Sequence, residues 1–339
     1  VFVLPDTWTW DFWLADTGAE YHLFFLRASR ALLDPDRRHL RASIGHAVSR
    51  DLVNWTLLAD AVVASDSPAW DDQATWTGSV VQDDDGRWHM FYTGVSRSER
   101  GLVQRIGVAT STDLMVWQRD TGGPLLHADP TWYERLPDEG WHDEAWRDPW
   151  VFRDPSGDGW HMLVTARCRT GDLDDRGVIA HARSADLRDW RVQPPLSSPG
   201  SGFGQLEVPQ VEVVDGQPVL MFSCLRGDLA ASRRATGTTG GVWAVACDAV
   251  TGPYDIARAC EVTDHGLYSG RLIRDRSGRW VMLAFHNVGQ EGQFEGWLSD
   301  PMPVRLEHGV LVADRQSSGR AASLARSGAE RHNDMSSAG

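Results

Sequence analysis

An aromatic-His-apolar run recurs along the chain, and this repetition restricts the possible fold more than any other feature. It reads Tyr21-His22-Leu23-Phe24-Phe25, Trp88-His89-Met90-Phe91-Tyr92 and Trp160-His161-Met162-Leu163-Val164. Weaker copies stand at Pro218-Val219-Leu220-Met221-Phe222 and Trp280-Val281-Met282-Leu283-Ala284. From His22 through His89, His161 and Val219 to Val281 the steps are 67, 72, 58 and 62 residues. Polar Gly turns precede the later copies, as in Asp84-Asp85-Gly86 and Gly157-Asp158-Gly159, which is hairpin chemistry. After each of the first three copies comes a strand of small residues and then Asp-Leu-x-x-Trp, at Asp51 to Trp55, Asp113 to Trp117 and Asp186 to Trp190.

Five copies of short strands joined by such turns predict an all-β, five-bladed β-propeller of four-stranded blades, filling residues 1–315 as one domain. Two stacked β-sandwiches would not account for five copies, and no sustained helical period supports an α/β fold. From Gln316 the sequence turns to Ser, Ala, Gly and Arg, so 316–339 is expected to be a disordered tail.

Composition removes several chemistries. The chain has 33 basic residues, all of them arginine, which excludes a Schiff-base lysine, a pyridoxal-phosphate lysine and a P-loop lysine. Net charge is −14, so phosphate backbones are repelled, and neither nucleic acid nor an anionic membrane is expected as a partner. With 42% hydrophobic residues and no apolar run near the roughly 18 that span a bilayer, a soluble globular chain is expected. Cys168, Cys224, Cys247 and Cys260 show no CxxC spacing, so free thiols in a reducing, cytoplasmic setting are the expectation. Val1 to Pro5 is too short for a signal-peptide core, although the missing initiator Met leaves a removed leader open.

Counting back from the aligned runs, Asp11 lies 11 residues before His22, Asp148 13 before His161 and Glu207 12 before Val219. Thr77 and Ser269 take that place in the second and fifth copies. First strands of propeller blades line the central channel, so the three carboxylates should converge on one funnel. Asp and Glu make up 47 of 339 residues, and runs such as Asp83-Asp84-Asp85 read as solvated loops. Carboxylates at one repeat position of three inner strands are a different matter, because an interior tolerates them only with partners. Of 17 Trp, six belong to the repeat and are read as core. Trp8, Trp10, Trp13, Trp70, Trp76, Trp132, Trp141, Trp146 and Trp150 crowd near the first three inner strands. About half of these are expected to pack structurally and the rest to wall a sugar pocket.

These residues resemble a known group. Trp10-Asp11-Phe12-Trp13, Trp76-Thr77-Gly78-Ser79, Trp146-Arg147-Asp148-Pro149 and Leu206-Glu207-Val208-Pro209 look like the four motif blocks of glycoside hydrolase families 32 and 68. Those are the invertases, fructanases and levansucrases. The resemblance covers blades one to four, with Arg-Asp-Pro its most specific block. It implies a five-bladed propeller, Asp11 as nucleophile, Glu207 as general acid/base and Asp148 as a stabiliser binding two fructosyl hydroxyls. It further implies substrate contacts from Trp10, Trp13, Trp76, Thr77 and Arg147. Val208 replaces the family's usual Cys, and the first block is closer to family 68 than to family 32. After Gln316 only about two dozen residues remain, so the C-terminal β-sandwich typical of family 32 is not expected.

The implied reaction is retaining cleavage of small β-fructosides such as sucrose or fructo-oligosaccharides, from the chain end, with transfer to a second sugar as a variant. A carboxyl pair about 5 to 5.5 Å apart would carry it, without cofactor or metal. His286 reads as a packed histidine, with a calcium-site neighbour at the axis as the alternative. Two other functions share the same residues. One is a family 43-like inverting enzyme acting on arabinan or xylan, with carboxylates about 6.5 to 9.5 Å apart. The other is a propeller that binds sugar without turnover.

Overall fold

The computed structural model describes residues 1–138 and 140–314. Its strands form five antiparallel sheets, each a blade. Blade 1 comprises Thr7–Asp16, Tyr21–Ser29, Ser43–Ser49 and Thr56–Leu57. Blade 2 comprises Ala74–Gln82, Trp88–Val95, Gln104–Ser111 and Gln118–Arg119. Blade 3 runs from Trp146–Arg153 to Trp190–Gln193, and blade 4 from Glu207–Val214 to Cys260–Glu261. Blade 5 begins with Leu267–Arg274 and Trp280–Val288, which pairs both with Met302–Glu307 and with an added strand, Phe294–Leu298. The first strand of each blade touches the first strand of the next, and that of blade 5 touches that of blade 1, so the ring closes. Phe2 and Leu298 exchange backbone hydrogen bonds of 3.1 and 3.0 Å, tying the start of the chain to blade 5. The tail expected over 316–339 lies outside the described residues.

The Asp-Leu-x-x-Trp motif is a turn with a mechanism. In each copy Oδ1 of the aspartate accepts two backbone N–H groups, from Val53 and Asn54, Met115 and Val116, or Arg188 and Asp189. A serine two residues earlier, Ser49, Ser111 or Ser184, donates its hydroxyl to the same carboxylate. This frame holds Leu52, Leu114 and Leu187 at φ of 63°, 64° and 65°, a left-handed conformation unusual for leucine. Each of these side chains is only 1% exposed. Burying a leucine contributes about 1.5–3 kcal/mol, against roughly 1–2 kcal/mol for the left-handed backbone, so packing wins. The Trp that ends the motif then caps the blade, and Trp117 and Trp190 donate Nε1 to the carbonyls of Leu114 and Leu187.

Two of the three repeat histidines pair with a histidine on the next strand, whereas His89 pairs with Asp83 at 2.8 Å. His22 and His46 ring nitrogens lie 3.0 Å apart, and those of His161 and His181 2.9 Å apart. Asp154 reaches the other nitrogen of His161 at 2.7 Å. Burial, then the neighbouring histidine, lowers His46 to about 4 and His181 to about 3. Both therefore fold as neutral rings, while the unfolded chain takes up their protons near pH 6.5. Stability present above that pH is lost as the pH falls below it. The melting temperature should drop between pH 7 and pH 5, and less steeply in His181→Gln; calorimetry across that range checks both.

Candidate active site

Every inner strand is broken at one level by a β-bulge. Trp10, Trp76, Arg147, Glu207 and Tyr268 pair with Leu26, Thr93, Thr165, Ser223 and Phe285, and so form one ring of equivalent positions. The bulged residues that follow, Asp11, Thr77, Asp148, Val208 and Ser269, form a second ring. The one-residue tolerance of the sequence alignment merged the two. Glu207 is not the register equivalent of Asp11 and Asp148; it stands one residue earlier, in line with Arg147 and Tyr268. In blades 3, 4 and 5 the bulge holds two residues, and its first residue is left-handed, with φ of 60° at Asp148, 54° at Val208 and 50° at Ser269. A β-branched valine in that region is strained, and bulges of this kind gather where a strand must re-aim a side chain.

The bulges bring the three carboxylates into one hydrogen-bonded network. Asp11 accepts from the Thr77 hydroxyl at 2.7 Å on one oxygen and from the Ser269 hydroxyl on the other. Tyr268, adjacent in sequence to Ser269, donates its hydroxyl to Glu207 Oε2. Arg147 Nη2 donates to Glu207 Oε1 at 2.6 Å, and its Nε lies 3.7 Å from Asp148 Oδ2. Asp148 Oδ2 also accepts from the Thr165 hydroxyl at 2.9 Å and the Val208 N–H at 3.0 Å. Gln104 and Gln205 accept from Arg147 and fix its plane. Asp148 is the most deeply covered, at 3% side-chain exposure against 17% for Glu207. Asp11 is likewise partly open.

Burial pushes the Asp11 carboxyl above the usual carboxylate range; the Ser269 and Thr77 hydroxyls pull it back, and Glu207 adds to the rise. Burial also lifts Asp148, which reaches about 6 despite Arg147, with Asp11 and Glu207 reinforcing the rise. Burial works against the Arg147 charge, but Glu207, Asp143 and Asp148 outweigh it and keep the guanidinium protonated.

The remaining candidates separate into wall and core. Trp76 is partly exposed and donates Nε1 to the His39 carbonyl at 2.7 Å. Trp10 is 1% exposed and lies behind the His39 ring, 5.9 Å away. Trp13 does not reach the funnel: it is fully buried, stacked on Phe24 in the blade 1 core. The tryptophans before the third inner strand wall the site less than expected. Trp146 packs on Tyr133 in the core, and Trp132 points outward at 39% exposure. Trp141 lies under the Arg167 guanidinium at 3.8 Å. His286 is not core either: it stacks on Trp297 and faces Glu295 Oε2 at 3.5 Å.

Sequence reasoning missed residues from the connections at this end of the propeller. The segment 30–42 of blade 1 carries Arg38 and His39 across the mouth. Arg38 lies over the Trp10 and Phe294 rings, and burial lowers it to about 10 while Asp11 and Asp36 favour its charge. His39, exposed at the same place, lies edge-on to the Trp10 and Trp76 rings at 5.9 and 6.3 Å. Asp228, in the second-to-third connection of blade 4, is raised to about 7 by burial and by Glu207. The available signal was positional: second-to-third connections share an end with the start of each inner strand.

A model of the glycosyl hydrolases family 32 N-terminal domain matches residues 14–307, beginning three positions after Asp11. A cell wall β-fructofuranosidase isozyme of Pisum sativum is 26% identical over 275 residues, which are 76% of this chain and 45% of the pea protein. β-Fructofuranosidase 1 of Zea mays is 31% identical over 183 residues, 52% of this chain and 24% of the maize protein. The chain thus spans less than half the length of either relative. Among solved structures, an inulosucrase from Halalkalicoccus jeotgali bound to kestose superposes with a TM-score of 0.75 at 24% identity, covering 94% of this chain and 92% of that one. The Bombyx mori family 32 β-fructofuranosidase gives 0.68 at 17% identity, covering 93% and 64%. At these identities the structural likeness is one of fold.

The cradle around Asp11 can be tested directly. Thr77→Val removes one of the two hydroxyls that stabilise its charged form. A hydrogen bond to a charged group is worth about 1.5–3 kcal/mol, so turnover should fall roughly ten- to hundred-fold and its acid limb should move to higher pH. Thr77→Ser should restore both. Initial rates measured from pH 4 to 8 decide.

Proposed function

Because the chain belongs to glycosyl hydrolase family 32, we propose that it is a glycoside hydrolase cleaving small β-fructosides, such as sucrose or a short fructo-oligosaccharide, with retention of configuration. The observation that carries this reading is the continuous network from Asp11 through Ser269 and Tyr268 to Glu207, Arg147 and Asp148.

In this reading Asp11 attacks the anomeric carbon of the fructosyl ring. The bond to the leaving oxygen breaks, and Glu207 gives that oxygen its proton. A water, or the hydroxyl of a second sugar, then attacks the same carbon; Glu207 takes its proton and Asp11 leaves as a carboxylate. Thr77 and Ser269 hold both oxygens of Asp11, which fixes the attacking lone pair and favours the charged form. Tyr268 and Arg147 orient Glu207 from two sides. Asp148, covered and ionised beside Arg147, is suited to accept two ring hydroxyls and to stabilise positive charge developing at the anomeric centre. His39 and Trp76 line the same wall and would contact the sugar's rim.

Asp148 must be ionised in this role, and the neighbouring Asp11 charge adds to its rise. Activity should therefore be lost as the pH falls through about 6, with the limb belonging to the pair of carboxyls. A panel of sucrose, kestose, inulin, levan and an aryl arabinofuranoside, with product anomers followed by NMR, tests the substrate and the stereochemistry together. Fructose release with retention is expected. Inversion on the arabinofuranoside would instead support the arabinan-type reading, and sugar binding without products would support the non-catalytic one. Asp11→Asn should lower turnover by at least about a thousandfold while the protein stays folded. Glu207→Gln should slow sucrose by about 10²–10⁴ yet largely spare fructosyl fluoride, whose leaving group needs no proton. Equal losses on both substrates would remove the acid role from Glu207.

A further inference from the structure

The axis of the propeller is crossed by a buried arginine to which neither the motif blocks nor the reaction scheme gives a task. Arg271 follows Ser269 by two positions on the inner strand of blade 5 and is 1% exposed. Its Nε donates to the Phe12 carbonyl at 3.0 Å. Its Nη1 donates to the carbonyls of Pro209 at 2.8 Å and Val208 at 3.4 Å. Its guanidinium lies 5.1 Å from the Trp150 ring centre. One side chain on blade 5 therefore reaches the inner strands of blades 1, 3 and 4.

Where it grips matters more than how many strands it meets. Phe12 follows Asp11, and Val208 and Pro209 follow Glu207. The clamp thus joins the backbone just behind the two carboxyls whose separation decides between direct attack and a water-mediated route. Nη2 finds no hydrogen-bond partner among the described residues, so the group is not fully used by its role as a crosslink. Burial lowers its guanidinium to about 10, while the Asp148, Asp11 and Glu212 carboxyls favour its charge. Arg38 and Arg147 face the network from elsewhere.

We propose that Arg271 is a positioning residue, which sets the spacing of Asp11 and Glu207 through the carbonyls behind them and supplies the axial positive charge that Asp11 and Asp148 share. The spacing half rests on the fructosidase reading above; the charge half does not, and the two are measured separately. Arg271→Lys keeps a charge and loses the planar clamp, whereas Arg271→Met and Arg271→Gln lose both. Titration of aspartate carboxyls by ¹³C NMR, without substrate, should show the Asp11–Asp148 pair moving to higher pH by about one unit or more in Arg271→Met and staying near wild type in Arg271→Lys. On sucrose, kcat should fall at least about tenfold in all three variants with KM little changed, because the clamp orients reacting groups and touches no sugar.

An unshifted carboxyl titration in folded Arg271→Met would overturn the charge half. Wild-type kcat in Arg271→Lys would overturn the spacing half. If none of the three variants folds, Arg271 is a structural crosslink only and the proposal falls. Should the wild-type protein release no fructose while Arg271→Met shows the titration shift, the fructosidase reading and the spacing half fall and the shared charge stands.

Discussion

Three carboxylates at the centre of a protein interior are the constraint around which the rest is arranged. Burial penalises the charged form, and Asp11 and Asp148 both rise for that reason first. The fold answers with hydroxyls and guanidiniums. The answers come from three blades: Thr77 from the second, Thr165 and Arg147 from the third, Tyr268 and Ser269 from the fifth. A propeller suits such a task because its inner strands converge on one axis, so short side chains can meet there without leaving their own sheet.

The bulges make that convergence usable. A regular strand alternates its side chains between faces, so neighbours such as Arg147 and Asp148 would point apart. The bulge turns the second of each pair, and Arg147 and Asp148 end 3.7 Å from one another. The same device in blade 5 lets Tyr268 serve Glu207 while Ser269 serves Asp11. Val208 occupies the corresponding bulge in blade 4 and offers its backbone N–H to Asp148, so the strained residue takes part in the site through its main chain.

Much of this could be read from the sequence. The five recurring apolar runs mark the blades and so locate the inner strands, and in the first three blades Asp-Leu-x-x-Trp adds the turn chemistry. The two-ring structure of the site was not legible, because a bulge adds a residue without changing composition, and a one-residue tolerance absorbs it. Tryptophan misled in the same place. Trp13 and Trp146 sit within the motif blocks, yet both are core, since a large ring at a blade seam serves packing as readily as it serves a ligand. Arg38, His39 and Asp228 come from irregular connections, where no period marks which side chain turns inward.

The absence of lysine acquires a physical sense at the site. Burial lowers both Arg38 and Arg271 to about 10, leaving each guanidinium charged at neutral pH with a wide margin. A lysine starts near about 10.4, and the same fall would bring it within reach of neutral pH, where part of its charge would be lost. Losing either charge would leave Asp11 and Asp148 with burial and mutual repulsion less opposed, and the pair would hold a proton over more of the pH range. A planar guanidinium can also grip two or three carbonyls at once, as Arg271 does, whereas an ammonium offers a single point. Charge that survives burial and geometry that locks several strands together are separate demands, and at the axis of this propeller one residue type meets both.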